Sequence, residues 1–276
     1  GDLLFRVIDD MPEGAWTKEF PRDKIDAAMQ ELELFRQYPA RAAPPPPPAS
    51  ADIAGRVTTD FLDVDGVQLA TREFGAAHGG VPVVLIPQMP GSSRLLEPLM
   101  LDLGKSKHIV ALDLPGHGDS DPADSHSIEA YAGVLNRALA ARGIDRAHLY
   151  GRNAGGSVAV ELARTAPDCA ASLMLEGPMI LSERERQAMA PHWALAADPV
   201  WDGHHLTSLW HQLRDQQLFY PWYEQTMAAS RFVEPVVTPE ALHEQVVELI
   251  KHPGSYKPSW DAAFGYPLRE RLAEIR

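Results

Sequence analysis

Residues 148–157 read HLYGRNAGGS. Apolar residues run into Gly151, and Gly155 and Gly156 open a stretch with apolar residues at helical spacing. The segment therefore reads as a strand end, a tight turn bounded by glycine, and a helix start. A side chain in the middle of so sharp a turn is presented to the space beyond the strand end. That side chain is Asn153. A carboxamide donates and accepts hydrogen bonds but is not a nucleophile. Asn also tolerates the left-handed backbone of such a turn better than most residues do. Three roles stay open for it: a relic in a site that only binds, an amide that orients a ligand through hydrogen bonds in both directions, or an inert stand-in for a nearly isosteric Asp.

Other groups with chemical potential are sparse. Glu176 closes the apolar run SLMLE, where it is either an acid aimed at a site or a solvated strand-end carboxylate. Histidines His192, His204, His205 and His211 fall in a helical stretch and are candidates for acid or base work. Core or surface positions are the default for them, and the vicinal pair lacks an identifiable acid behind it, so no metal and no cofactor are expected. Ser92, Ser93 and Ser157 are the serines that could stand in as nucleophile if Asn153 is not the reacting position.

The chain has 276 residues, 45% of them hydrophobic, enough for a sizeable core. A formal charge of −13 without a basic cluster argues against nucleic acid and anionic lipid as partners. Cys169 is the only cysteine, which excludes an intrachain disulfide and a multi-thiolate metal site. No stretch approaches the roughly 20 apolar residues of a membrane span, and the first residues carry acids where an export signal needs a basic start. A cytoplasmic protein with a small-molecule ligand is the expectation.

The elements that must position Asn153 and Glu176 follow from pattern. Residues 57–75 read as two strands around an Asp65-Gly66 turn. Residues 81–87 (VPVVLIP) and the start of 107–121 (KHIVALDLPGHGDSD) read as strands buried on both faces. A helix over 127–143 stopped by Gly143, the strand AHLYG, a helix over 154–166 and a strand over 171–178 complete an alternation of β and α. Such alternation predicts an α/β fold with a mostly parallel sheet and helices on both faces. From Leu181 to Glu248 strands give way to helical periodicity rich in Trp, His and Met, the pattern of a helical lid over a ligand crevice, with Trp193, Trp210 and Trp222 as its expected roof. The divisions are 1–39, an N-terminal strand and amphipathic helix; 40–55, a linker with five consecutive prolines; 56–180, the core; and 181–276, the lid and chain end.

The segments VVLIPQMPGSS, HIVALDLPGHGDSD and HLYGRNAGG, in this order and spacing, resemble the α/β-hydrolase fold superfamily over residues 57–276. That resemblance implies a nucleophile on the strand-to-helix elbow, a histidine to activate it, an acid to orient the histidine, and two backbone N–H groups that hold an oxyanion. By position the elbow residue is Asn153, the N–H donors are Met89 and Ala154, and Glu176 stands where some relatives carry the acid. Gln88 occupies a loop position where glycine is usual. No histidine stands at the expected place, and the seventh and eighth strands are not evident at the C-terminal end. Residues 1–38 resemble the tail of the same fold, with Trp16 at the histidine position; an indole donates but takes no proton. The implied protein is a degenerate or non-hydrolytic binder of small molecules. Its alternatives are an active ester, carbon-halogen or epoxide hydrolase whose nucleophile was replaced by Asn or lies elsewhere, and a protein-interaction module. An uncovered sheet edge would further imply a homo-oligomer or a complementing polypeptide segment.

Overall fold

The computed structural model describes residues 55–195, 197–232 and 234–275. Trp16, the segment 1–39 and the linker up to residue 54 lie outside the described residues.

Strands β1 (Thr58–Val64) and β2 (Val67–Phe74) form the hairpin that the sequence predicts, with Asp65 and Gly66 at its turn. Both turn residues have positive φ, 57° and 85°, a conformation that Asp and Gly reach most easily. Strands β3 (Val83–Ile86), β4 (Ile109–Leu112), β5 (Ala147–Arg152) and β6 (Ala170–Glu176) follow. The six lie in one sheet in the order β1-β2-β4-β3-β5-β6. β2 meets β4 antiparallel, whereas β3 pairs in parallel with β4 and β5, and β5 in parallel with β6.

Period-two alternation divides the central strands between two cores. Val84, Ile86, Val110, Leu112 and Leu149 pack with α2 (Ile128–Ala141) and α3 (Gly155–Thr165). Leu85, Ile109, Ala111 and Tyr150 face the other way, against Leu96 and Met100, the latter on α1 (Glu97–Leu103). Runs such as VVLI and IVAL are apolar throughout because neither face meets water, and each buried aliphatic side chain contributes roughly 1.5–3 kcal/mol. α2 is started by the Ser127 hydroxyl, which accepts from Ala130 N–H at 3.1 Å, and Gly143 with φ 69° lies just past its end.

After β6 the chain is helical: α4 (Glu183–Trp193), α5 (His204–Leu218), α6 (Pro239–Ile250), α7 (Pro253–Gly265) and α8 (Leu268–Leu272). This segment has its own apolar clusters, one around Leu209, Leu213, Leu242, Val246 and Tyr256, the other around Met189, Trp193, Trp222 and Phe264. The end of α7 and α8 return to the main core through Ala263, Tyr266 and Leu268. Among the described residues β6 pairs only with β5, and Met174 on it is 66% exposed. No helix of the described residues is long and apolar enough to cross a membrane.

Candidate functional site

β5 delivers Asn153 into the predicted turn with φ 49°. Its N–H donates to the Glu176 carbonyl at 2.8 Å, which ties the turn to the end of β6. The flanking glycines are required by close backbone approach. A Cβ on Gly151 would lie 2.6 Å from Gly156 Cα, and one on Gly155 would lie 2.1 Å from the Pro87 carbonyl oxygen. The turn thus rests directly on the end of β3.

The loop that follows β3 supplies the partner of Asn153. Asn153 Nδ2 donates to Gln88 Oε1 at 3.1 Å, so the departure from glycine at residue 88 and the departure from a nucleophile at residue 153 meet in one amide–amide pair. Next to Gln88, Met89 is 1% exposed, and Ala154 is fully buried. Neither residue's N–H has a hydrogen-bond acceptor among the described residues. Both are therefore left as donors at the positions where the sequence comparison expected an oxyanion to be held.

The same loop is held from beneath by the D-x-x-G-x-G-x-S stretch. Asp113, fully buried, accepts from Ser93 N–H at 2.6 Å, Ser93 Oγ at 2.5 Å and Asp119 N–H at 3.0 Å. Arg72, 4% exposed, lies 3.5 Å from Asp113 and 3.2 Å from both Glu97 and Asp119. Gly118 has φ 56°, and a Cβ there would sit 2.1 Å from the Asp113 carboxylate. Ser120 Oγ donates to the Asp113 carbonyl at 2.8 Å and accepts from Ala70 N–H at 2.9 Å. Ser92 Oγ donates to Glu248 of α6 at 2.6 Å, and Lys251 bridges Glu248 and Asp119 at 2.8 Å each. The motif is a clamp on the site loop.

Glu176 accepts from the Tyr150 hydroxyl and lies 3.4 Å from Arg152 Nε. Burial and this carboxylate acceptor push the Tyr150 phenol well above its usual pKa. Glu176 thus meets a phenol and a guanidinium, while the Asn153 side chain meets Gln88.

A cavity of about 930 Å³ opens over the turn, with Gln88, Asn153, Glu176 and Trp193 in its wall. Met89 and Ala154 are buried and are not among the residues that line it. Of the three tryptophans expected as its roof, two are corrected. Trp222 is held away by its indole N–H, which donates to the Trp193 carbonyl at 2.9 Å within the Met189–Phe264 cluster. Trp210 packs on the Leu209–Tyr256 cluster. Trp260, which the sequence did not single out, takes their place beside Trp193. Arg152, Gln216, Gln217, Arg231 and Gln245 also line the cavity and were missed. Only Arg152 carried a signal, by adjacency to Asn153; Gln216, Gln217 and Gln245 depend on which face of a helix turns inward, and Arg231 on the course of a loop.

The expectation of an acid or base among His192, His204, His205 and His211 is corrected as well. None of the four lines the cavity. His204 is exposed and bonded to Asp202 at 2.7 Å, His205 accepts from Val200 N–H, His192 packs on Tyr223, and His211 is exposed. Among the described residues no histidine lines the cavity. Ser92 and Ser93 are engaged by carboxylates, Ser157 is buried in α3, and none of the three lines the cavity.

The α/β hydrolase fold family matches over residues 81–231. The dihydrolipoyllysine-residue acetyltransferase component of the acetoin cleaving system of Cupriavidus necator is 32% identical over 161 residues, 58% of this chain and 40% of that protein. The chain thus aligns with well under half of that relative's length. Among solved structures, the enol-lactonase of Burkholderia xenovorans LB400 superposes with a TM-score of 0.60 at 20% identity, covering 79% of this chain and 78% of that one. An epoxide hydrolase of Vigna radiata superposes at 0.58 and 15% identity, covering 79% and 76%. At such identities the structural likeness concerns fold alone. Through the family match over more than half its length, and the sheet and turn that agree with it, this chain belongs to the α/β hydrolase fold family.

Proposed function

We propose that this protein is a small-molecule-binding member of the α/β hydrolase fold family whose site operates without a nucleophile, the helices after β6 serving as its lid. The observation that carries this reading is the Asn153–Gln88 pair, which puts a neutral amide, hydrogen-bonded to another amide, where the family places its attacking group. An amide nitrogen shares its lone pair with the carbonyl and does not attack an ester. The N–H groups of Met89 and Ala154, without acceptors among the described residues, are the two donors assigned to a ligand oxygen, and an oxygen held this way is bound with no covalent bond to the protein. Glu176 contributes a carboxylate at the rim, neutralised by Arg152.

The test is incubation with a serine-directed phosphonate followed by intact-mass spectrometry, beside turnover of a panel of p-nitrophenyl esters. Unchanged mass and background turnover are expected. Stoichiometric labelling, or turnover abolished by substituting a serine, overturns the reading. A second reading, a protein-interaction module, is favoured by the edge of β6, unpaired among the described residues, with its exposed Met174, which suits pairing with another copy or segment. Light scattering over a concentration series tests it, and a concentration-independent monomer mass counts against a copy-to-copy pairing.

A further inference from the structure

We infer that the cavity is built for a neutral ligand that carries several hydroxyl groups next to an apolar portion. The inference rests on reading the cavity as a binding site without a nucleophile, and it concerns what occupies that site.

The first argument is charge. Four ionic side chains line the cavity, Arg152 and Arg231 against Glu176 and Glu244. They cancel in formal charge. Arg152 is already matched by Glu176 at 3.4 Å, and Arg231 donates to the Gln216 carbonyl at 3.1 Å. Summed over the wall, the lining favours neither sign, so a ligand with a net charge gains no overall Coulomb advantage there over a neutral one.

The second argument is the donor and acceptor inventory. Gln88, Asn153, Gln216, Gln217 and Gln245 place five carboxamides in one wall. Each carries both a donor and an acceptor, although the Gln216 Nε2 is buried and has no partner among the described residues. Their internal bonds leave groups of both kinds over: Gln88 spends its oxygen on Asn153 and keeps its NH2, while Gln245 spends an N–H on the Ala241 carbonyl at 3.2 Å and keeps its oxygen. A carboxylate, which only accepts, would leave amide oxygens unpaired; an ammonium, which only donates, would leave amide N–H groups unpaired. Each unmet group in a desolvated site costs about 1–3 kcal/mol. A hydroxyl both donates and accepts, so several hydroxyls satisfy the set. Trp193, Trp260 and Phe219 in the same wall offer apolar area for the rest of the molecule. The volume, about 930 Å³, suits a ligand of some tens of heavy atoms.

The experiment uses the full chain and probes that share an eight-carbon chain and differ in head group: octyl β-glucoside, octanoate and octylammonium, all below their critical micelle concentrations, by isothermal titration calorimetry at low and high salt. Octyl glucoside is expected to bind saturably, at least about tenfold tighter than either ion, with affinity that changes little with salt. Gln217→Leu and Gln245→Leu are each expected to weaken the glucoside about five- to tenfold and to leave octanoate unchanged. As a variant that keeps a polar side chain in the wall, Gln217→Glu is expected to raise the relative affinity for the cation. Octanoate binding tightest, a glucoside affinity that falls steeply with salt, glucoside affinity unmoved in both leucine variants, or no saturable glucoside binding each overturns the inference. Phosphonate labelling reports on the missing nucleophile independently, so a labelled protein that still prefers the glucoside overturns the proposed function and leaves this inference standing.

Discussion

The end of the sheet and the helical segment above it are built on opposite terms. At the sheet end a fully buried carboxylate, Asp113, collects bonds from a neighbouring loop and an arginine, and glycine lets backbone touch backbone at Gly151 and Gly155. In the helical segment Trp201 and Phe232 are fully exposed, and amide side chains with few fixed partners line a large cavity. The difference assigns work. On the proposed function, the sheet end is the part that would hold a ligand oxygen and the helices the part that would select the ligand. A substitution below the cavity should therefore act on stability and geometry together, and one in the wall should act on affinity with stability almost unchanged.

The largest break in that contrast is expected at Asp113. Asp113→Ala leaves Arg72, 4% exposed, without its most buried counter-charge and frees Ser93 and the loop that carries Gln88 and Met89. Losing one partner of a buried ion pair costs about 3–5 kcal/mol. Urea unfolding should show a loss of this size, against less than about 0.5 kcal/mol for Gln217→Leu in the wall. Equal losses would erase the distinction between the two regions.

A pH effect of nearly that size is expected where the sheet end meets α7. His117, 3% exposed, donates from Nδ1 to the Pro115 carbonyl at 3.0 Å, so its Nε2 accepts from Ser259 Oγ at 2.9 Å. Burial lowers its pKa from 6.5 to about 4. The folded state holds this ring neutral, whereas the unfolded chain takes up a proton near pH 6.5. Stability contributed by the neutral ring is full above pH 6.5 and is lost as the pH falls from there toward 4, by about 3 kcal/mol. His117→Gln should flatten this slope in a pH series of urea midpoints, and an unchanged slope would show that another group carries it.

How much of this was legible in the sequence divides along the same line. The Asp65-Gly66 hairpin, the buried strands VVLI and IVAL and the Asn153 turn are set by local rules: turn residues that accept positive φ, runs with no wet face, glycines at fixed offsets. Gln88, singled out as an oddity, proved to be the partner of Asn153 because two neighbouring strand ends carry both. The wall above was illegible. Trp193, Trp210 and Trp222 have the same composition signal, and only the fold decides that one faces the cavity, that one is pinned by its indole N–H, and that one fills a helix contact. The inward turn of Gln216, Gln217 and Gln245 is likewise a matter of helix rotation, which a segment rich in both apolar and polar residues does not specify.

A smaller effect is expected where the two regions are joined. Ser92→Ala removes the hydroxyl that donates to Glu248 at 2.6 Å, leaving that 4%-exposed carboxylate to Lys251 at 2.8 Å and Arg94 at 3.9 Å. A hydrogen bond to a charged group contributes roughly 1.5–3 kcal/mol, and the remaining lysine should keep the loss at about 1–2 kcal/mol. Hydrogen exchange should quicken in the loop 88–93 and at the end of α6 more than elsewhere. Uniform quickening over the whole chain would mean that the contact supports the fold in general and does not couple lid to loop.

The smallest change in stability with the most pointed chemical consequence is expected from Asn153→Asp. The two side chains are nearly isosteric, Asp, like Asn, accepts the φ of 49° at this turn, and the Gln88 amide can turn over to donate its NH2 to the carboxylate in place of the bond it now accepts, so folding should be little altered. What changes is the group. A carboxylate needs no base to attack a saturated carbon that bears a good leaving group: with a neutral primary haloalkane its oxygen forms an ester bond to that carbon while the halide departs with the bonding electrons. The released halide and the protein-bound ester balance the step. Hydrolysis of the ester needs a water deprotonated beside it, and among the described residues no histidine lines the cavity to do so. Intact-mass spectrometry should therefore show one covalent adduct that persists, with halide released once per protein molecule, and Asn153→Ser should show neither. Rapid multiple turnover by Asn153→Asp would instead place a working base at the site, and the contrast between a fixed floor and a merely selective wall would give way to that of an enzyme disarmed at a single residue.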